Sequence, residues 1–208
     1  MKPIILNHPL IESKLSILRD KHTGTKEFRE LIKEISTFLC YEAMKEAKLY
    51  DTEIETPIGR MKTKKIKEND YIFVPILRAG TGMIEGVLNV IPNAKIGHIG
   101  LYRDEQTLEP VRYYYKMPKQ IKQKQIILLD PMLATGGSAM DAISMMKQDG
   151  AIDIKFICII AAPEGISKLQ ENYPDVSIYC AAIDETLNEI GYIVPGLGDA
   201  GDRIFGTK

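Results

Sequence analysis

The stretch Asp130-Pro131-Met132-Leu133-Ala134-Thr135-Gly136-Gly137-Ser138 has the residue types and order of an anion cradle. Gly136 and Gly137 let the backbone take positive φ and approach a ligand closely, and Thr135 and Ser138 add hydroxyl donors. The helix that begins at Ser138 presents unpaired N–H groups and the positive end of its dipole. That dipole supplies only ~0.3–2 kcal/mol, so convergent N–H donors must carry most of the binding. The loop lacks the Gly-Lys-Ser/Thr ending of a P-loop and the GxGxxG spacing of a dinucleotide fingerprint. A glycine-rich turn between strand and helix is also a common structural feature, so the loop alone does not decide its use. Arg78, within Pro75-Ile76-Leu77-Arg78-Ala79-Gly80-Thr81-Gly82, can fork onto a diphosphate. Arg103 opens a polar segment running to Arg112, the composition of a lid that closes over substrate.

These residues need elements to position them. Residues 126–129 form a wholly apolar run too short for a helix, which suits a strand covered on both faces, and Ala139, Ala142, Ile143 and Met146 then recur at helical spacing. Strands are expected at 71–77, 96–102, 125–129, 154–161 and 176–182, and helices at 82–90, 138–148 and 166–172. Such alternation predicts an α/β fold with a mostly parallel central sheet and helices on both faces. Ligands bind there at the carboxyl ends of strands, where Arg78, Arg103 and the Asp130 loop all fall. Upstream, Pro9 and the spacing of Leu10, Ile11, Leu15 and Leu18 predict a short helix, and residues 26–49 a longer one capped by Thr25. Alternation over 51–67 about Pro57-Ile58-Gly59 predicts a β-ribbon arm whose lysines, Lys62, Lys64, Lys65 and Lys67, are expected to be solvated. Tyr113-Tyr114-Tyr115 read as a strand in preference to a base-stacking platform. The glycine-rich tail from Tyr192 to Phe205 reads as exposed backbone, neither helix nor central strand.

A chain of 208 residues, 45% hydrophobic, fits one domain over 1–208, with helices at 9–49, a core at 70–183 and a tail unit at 184–208. The formal net charge of −1 offers no field for nucleic acid or an anionic membrane, so a small-molecule partner is expected. Cys40, Cys158 and Cys180 lie in apolar runs, as reduced buried thiols in a cytoplasmic protein would. The N-terminus carries no leader-like apolar segment, and the longest apolar run, residues 156–162, is far below the ~20 needed to span a bilayer. His8, His22 and His98 are scattered, and no spacing suits a protein-held metal.

The nine residues from Asp130 to Ser138 resemble the phosphoribosyl pyrophosphate (PRPP) motif of type I phosphoribosyltransferases, in the form peculiar to uracil phosphoribosyltransferases. Pro131 replaces the second of two acidic residues found in most of that superfamily. Pro195-Gly196-Leu197-Gly198-Asp199-Ala200-Gly201-Asp202 resembles the family's uracil hood, a C-terminal base-binding unit. The resemblance implies transfer of a phosphoribosyl group from PRPP to N1 of uracil, giving UMP and diphosphate. It assigns PRPP contacts to Arg78, Arg103, Asp199 and residues Asp130, Pro131, Met132, Leu133, Ala134, Thr135, Gly136, Gly137 and Ser138. Arg103, Asp130 and Asp199 take the catalytic roles, and Ile193, Gly198, Asp199 and Ala200 meet uracil. Magnesium would arrive mainly on the PRPP diphosphate, with few protein ligands. The family also forms dimers or higher homo-oligomers, and several members respond to GTP as an effector.

Two rivals are open on sequence. A PRPP- and RNA-binding regulator would want a basic face that the net charge does not advertise. An enzyme for another base, such as hypoxanthine, is disfavoured by the Asp130-Pro131 variant and the hood.

Overall fold

The computed structural model describes residues 2–103 and 110–207, the side chains of Arg103 and Pro110 excepted. Of the expected lid from Arg103 to Arg112, residues 104–109 and the side-chain role of Arg103 lie outside the described residues, and residues 110–112 belong to a strand.

The chain opens with β1 (Ile4–Ile5), α1 (Pro9–Arg19) and α2 (Thr25–Ala43), then a ribbon of β2 (Leu49–Glu55) and β3 (Arg60–Ile66). The alternating core follows: β4 (Tyr71–Leu77), α3 (Ile84–Leu88), β5 (Lys95–Ile96), β6 (His98–Arg103), β7 (Pro110–Lys116), β8 (Gln125–Leu129), β9 (Met132–Leu133), α4 (Gly137–Gln148), β10 (Asp153–Ala161), α5 (Pro163–Asn172) and β11 (Ser177–Ile183). The tail adds β12 (Thr186–Leu187), β13 (Ile193–Val194) and α6 (Ala200–Phe205).

The main sheet runs β1-β11-β10-β8-β4-β6-β7, parallel throughout except at the antiparallel β7 edge. The apolar runs of β8 (residues 126–129) and β10 (residues 156–161) lie near its centre, where both faces need covering. Phe73, Ile127, Leu129, Ile157 and Ile159 face α1, α2, α3 and α6, and Ile72, Val74, Ile126, Leu128 and Phe156 face α4 and α5. The three cysteines are free and buried. No helix among the described residues is long and apolar enough to cross a membrane.

Several expectations need correction. Helix α2 stops at Ala43 rather than residue 49: Leu49 is committed to the ribbon, paired with Ile66, and this tertiary pairing overrides the helix propensity of residues 44–48. Its cap is Gly24, and Thr25 is the first helical residue. The predicted helix at 82–90 is a 3-10 turn, Ala79–Met83, followed by the short α3. The tail is not all exposed loop: Asp199 caps α6 by accepting from Asp202 N–H at 2.9 Å, and Gly206 ends it at φ 67. An Asp start with a Gly stop is a complete helix signal that the glycine content outweighed on sequence.

The end of α2 is also held from the sheet. Lys155, 8% exposed on β10, donates to Ala43 O at 2.5 Å and lies 5.6 Å from the Tyr179 ring centroid. Burial lowers the pKa of this lysine, opposed by Asp153 and Glu46. Replacing Lys155 with Met keeps the volume and removes the donor, which should destabilise the protein by about 1–2 kcal/mol. A denaturant titration measures this, and an unchanged midpoint would show that the carbonyl loses nothing.

Candidate active site

Because β4 and β8 run parallel and in register, with Pro75 beside Leu129, the turns that follow them open on the same end of the sheet. The first turn begins at Arg78, whose peptide with Leu77 is cis and whose carbonyl accepts from Thr81 N–H and from Thr81 Oγ1. The exposed Arg78 guanidinium stands 5.7 Å from the ring centroid of Phe205, the last residue of α6. The second turn begins at Asp130. Its N–H donates to Ile157 O, anchoring the loop to β10, and its Oδ1 accepts from Met132 N–H at 3.3 Å.

Met132 and Leu133, expected within a plain loop, form a two-residue strand on β10, paired with Ile160 and Ala161. Pro131 and Leu133 are buried. The loop reopens at Ala134 and enters α4 through Gly136, at φ 80. Only glycine takes that conformation at no steric cost, and a Cβ here would also stand 3.2 Å from Gly165 O. Thr135 Oγ1 accepts a long 3.5 Å bond from Gly137 N–H at the helix start.

The third part is the tail turn. Asp184, after β11, accepts from Gly196 N–H at 2.8 Å and pairs with Arg19 from α1. The chain passes a cis Val194–Pro195 bond and reverses at Gly196 and Gly198, at φ 65 and 80. The Arg203 guanidinium turns to the carbonyls of Leu18, Leu197 and Asp20.

These turns enclose a cavity of about 260 Å³ lined by Ala79, Asp130, Met132, Ala134, Ile190, Gly191, Tyr192, Gly198, Asp199, Ala200 and Gly201. The structure thus brings Asp130, Met132, Ala134, Gly198, Asp199 and Ala200 to one cavity. Thr135, Gly136, Gly137 and Ser138 continue from its rim into α4, and Ile193 is buried as part of β13. Ala79, Ile190, Gly191 and Tyr192 were not anticipated as lining. Only their nearness to Arg78 and to the glycine-rich tail hinted at them. A larger cleft of about 450 Å³, at Tyr115, Ile121 and Asp149, lies at the opposite end of the parallel strands and carries no glycine-rich anion loop. Tyr115 donates there to Asp149 Oδ2 at 2.6 Å, and Tyr113 packs across Gly100, so these tyrosines serve the β7 strand.

Asp130 is half-buried as a residue, and loss of water around its carboxyl pushes its pKa up to about 7, against the opposing Met132 hydrogen bond. Its ionised fraction therefore grows across neutral pH, and with it the capacity to accept hydrogen bonds from a ligand.

Among the described residues no group of three His, Cys, Asp or Glu side chains could cage a metal ion. Two carboxylates, Asp130 and Asp199, line the cavity. That sparse donor set fits a magnesium ion arriving on a diphosphate with most of its waters, since magnesium favours phosphate and water oxygens over all-protein cages.

Comparison with known proteins finds relatives along the whole chain. The family model described as uracil phosphoribosyltransferase matches residues 5–207. A curated relative of that name from Clostridium botulinum (strain Eklund 17B / Type B) is 58% identical over 207 residues, covering 100% of this chain and 99% of its own. A solved structure of a protein from Aquifex aeolicus superposes with a TM-score of 0.95 at 41% identity, covering 100% of this chain and 99% of its own. Adenine phosphoribosyltransferase from Trypanosoma brucei shares the fold, with a TM-score of 0.59 at 12% identity over 87% of this chain and 82% of its own. From its motifs, its fold and these matches along its whole length, the chain belongs to the uracil phosphoribosyltransferase family.

Proposed function

We propose that the chain transfers the phosphoribosyl group of PRPP to N1 of uracil, giving UMP and diphosphate, as one unit in which residues 184–208 form the hood. The observation that carries this reading is the single cavity in which the carboxylate of the phosphate loop faces the main chain of the tail turn.

In this reading the N–H groups from Thr135 to Ser138 anchor the 5-phosphate, remote from the reacting carbon, and Asp130 orients the ribose hydroxyls. Arg78 and Arg103 take the diphosphate. As the bond to C1 breaks, positive charge grows on the sugar and negative charge on the leaving group, so fixed cations at that end lower the barrier. Bound magnesium would add charge neutralisation of the diphosphate, with Asp130 and Asp199 the residues facing it. Asp199 fixes the start of α6 through its Asp202 bond and so also sets the position of Ala200. Gly198 and Ala200 offer main-chain groups to uracil and hold N1 in line with C1.

Homo-oligomers are supported by the ribbon. It pairs with no other strand among the described residues, and its tip residue Ile58 is 97% exposed. Two-stranded ribbons are marginally stable alone in water.

Incubation with magnesium, PRPP and radiolabelled uracil tests the reaction. UMP and diphosphate formed one for one support it, whereas PRPP binding without nucleotide formation would contradict it. The hood assignment predicts a selective effect at Gly198. A Cβ there has room, 3.7 Å from Arg203 Cδ, but valine resists the φ of 80 and the peptide must rotate. Gly198→Val should raise the uracil KM by about tenfold or more and the PRPP KM little. Equal increases in both would count against it.

A further inference from the structure

Two arginines outside the reaction grip successive peptides of the tail turn. Arg19 Nη1 donates to Gly196 O at 2.7 Å and to Asp184 Oδ2 at 2.7 Å, and the same carboxylate oxygen accepts from Gly196 N–H. Arg203 Nη1 donates to Leu197 O at 2.8 Å and Leu18 O at 2.7 Å, and its Nη2 to Asp20 O at 2.6 Å. Its guanidinium carbon lies 4.3 Å from the Phe28 ring centroid. The carbonyls of residues 196 and 197 are thus both drawn toward α1.

Peptide geometry gives this a consequence at the site. In a trans peptide the C=O and the N–H point in opposite directions. The cis bonds recorded are Leu77–Arg78 and Val194–Pro195, so the 197–198 peptide is trans. Holding Leu197 O on Arg203 turns Gly198 N–H the other way. Gly198 stands between two hollows: it lines the 260 Å³ cavity with Asp130 and, with Arg203, Lys21 and Thr23, an outer cleft of about 420 Å³, so an N–H turned away from Arg203 turns away from the outer cleft. We propose that Arg203 is a positioning residue for base recognition: it aims the Gly198 N–H into the cavity without touching the base, while Arg19 and Asp184 lock the preceding peptide. The inference rests on the reading of Gly198 as a main-chain contact to uracil.

The residue type fits the task. Three carbonyls converge on one planar guanidinium, which presents several donors in a rigid fork, and an ammonium is a point charge on a flexible stem. A turn with glycines at 196, 198 and 201 does not fix its own peptide planes, so their orientation must come from outside.

The test is steady-state kinetics of Arg203→Met, Arg203→Lys and Arg203→Ala, with thermal unfolding measured alongside. For Arg203→Met the uracil KM should rise about 10–100-fold, the range expected for charged hydrogen bonds, with the PRPP KM within roughly threefold of the parent. Lysine should restore part of the uracil KM, and millimolar guanidinium ion should lower it again in Arg203→Ala. A role confined to holding the fold together would raise both KM values with the loss of thermal stability, and that result overturns the proposal. So does an unchanged uracil KM. If Arg203→Met does not fold, Arg203→Lys decides: a selective rise in uracil KM supports the proposal and none overturns it. Failure of the activity reading would appear in the parent, as absence of UMP; failure of the clamp would appear only in the variants.

Discussion

Replacing Asp130 with Asn will lower kcat/KM for PRPP by about 10²–10³-fold, the worth of two charge-assisted hydrogen bonds to a diol. The substitution preserves shape. Asparagine keeps an oxygen for the Met132 N–H, which Asp130 Oδ1 accepts at 3.3 Å, so the loop should fold unchanged. The negative charge is lost, and with it one acceptor, replaced by an amide donor that opposes a ribose hydroxyl. The variant also removes the group whose pKa burial pushes up to about 7, so its activity should no longer rise between pH 6 and 8. Isothermal titration with PRPP gives the affinity directly. A Kd within a few-fold of the parent would place the ribose contact elsewhere. Uracil-side behaviour should move less, since the hood is held by Arg19, Asp184 and Arg203 rather than by the phosphate loop.

Much of this molecule was legible because local pattern and tertiary role coincide. The strand at 125–129 was readable because four apolar residues in a row suit a position covered on both faces, and β8 is that position. The entry into α4 was readable because a backbone at φ 80 favours glycine, and Gly136 takes that conformation. What escaped reading depends on distant partners. Arg19 and Asp184 stand 165 positions apart, and nothing in either neighbourhood announces the pair. Arg203 reaches Leu18 across 185 positions, and no neighbour in sequence announces that partner. The end of α2 was misplaced because residues 44–48 favour helix while ribbon pairing from Leu49 and the Lys155 bond to Ala43 decide the outcome. Tyr192 and Ala79 reach the cavity through the turns that carry them, a matter of topology rather than residue type.

The second large effect concerns the base. Uracil presents acceptor, donor and acceptor along one edge, which main-chain N–H and C=O groups can read. In the proposed pose cytosine would place an amino donor where the tail turn offers an N–H, leaving both unpaired. Such a mismatch costs several kcal/mol and gives on the order of 10⁴-fold discrimination. Hypoxanthine fails differently, since its edge presents the O6 acceptor and the N1–H donor but only a C–H at C2, which leaves one main-chain donor unpaired. The most direct measurement is therefore a competition: the protein with magnesium, PRPP and equimolar uracil, cytosine and hypoxanthine, with the nucleotides resolved by mass spectrometry. UMP as the sole detectable product is the predicted result. CMP or IMP in amounts comparable to UMP would contradict a hood that reads uracil through its backbone.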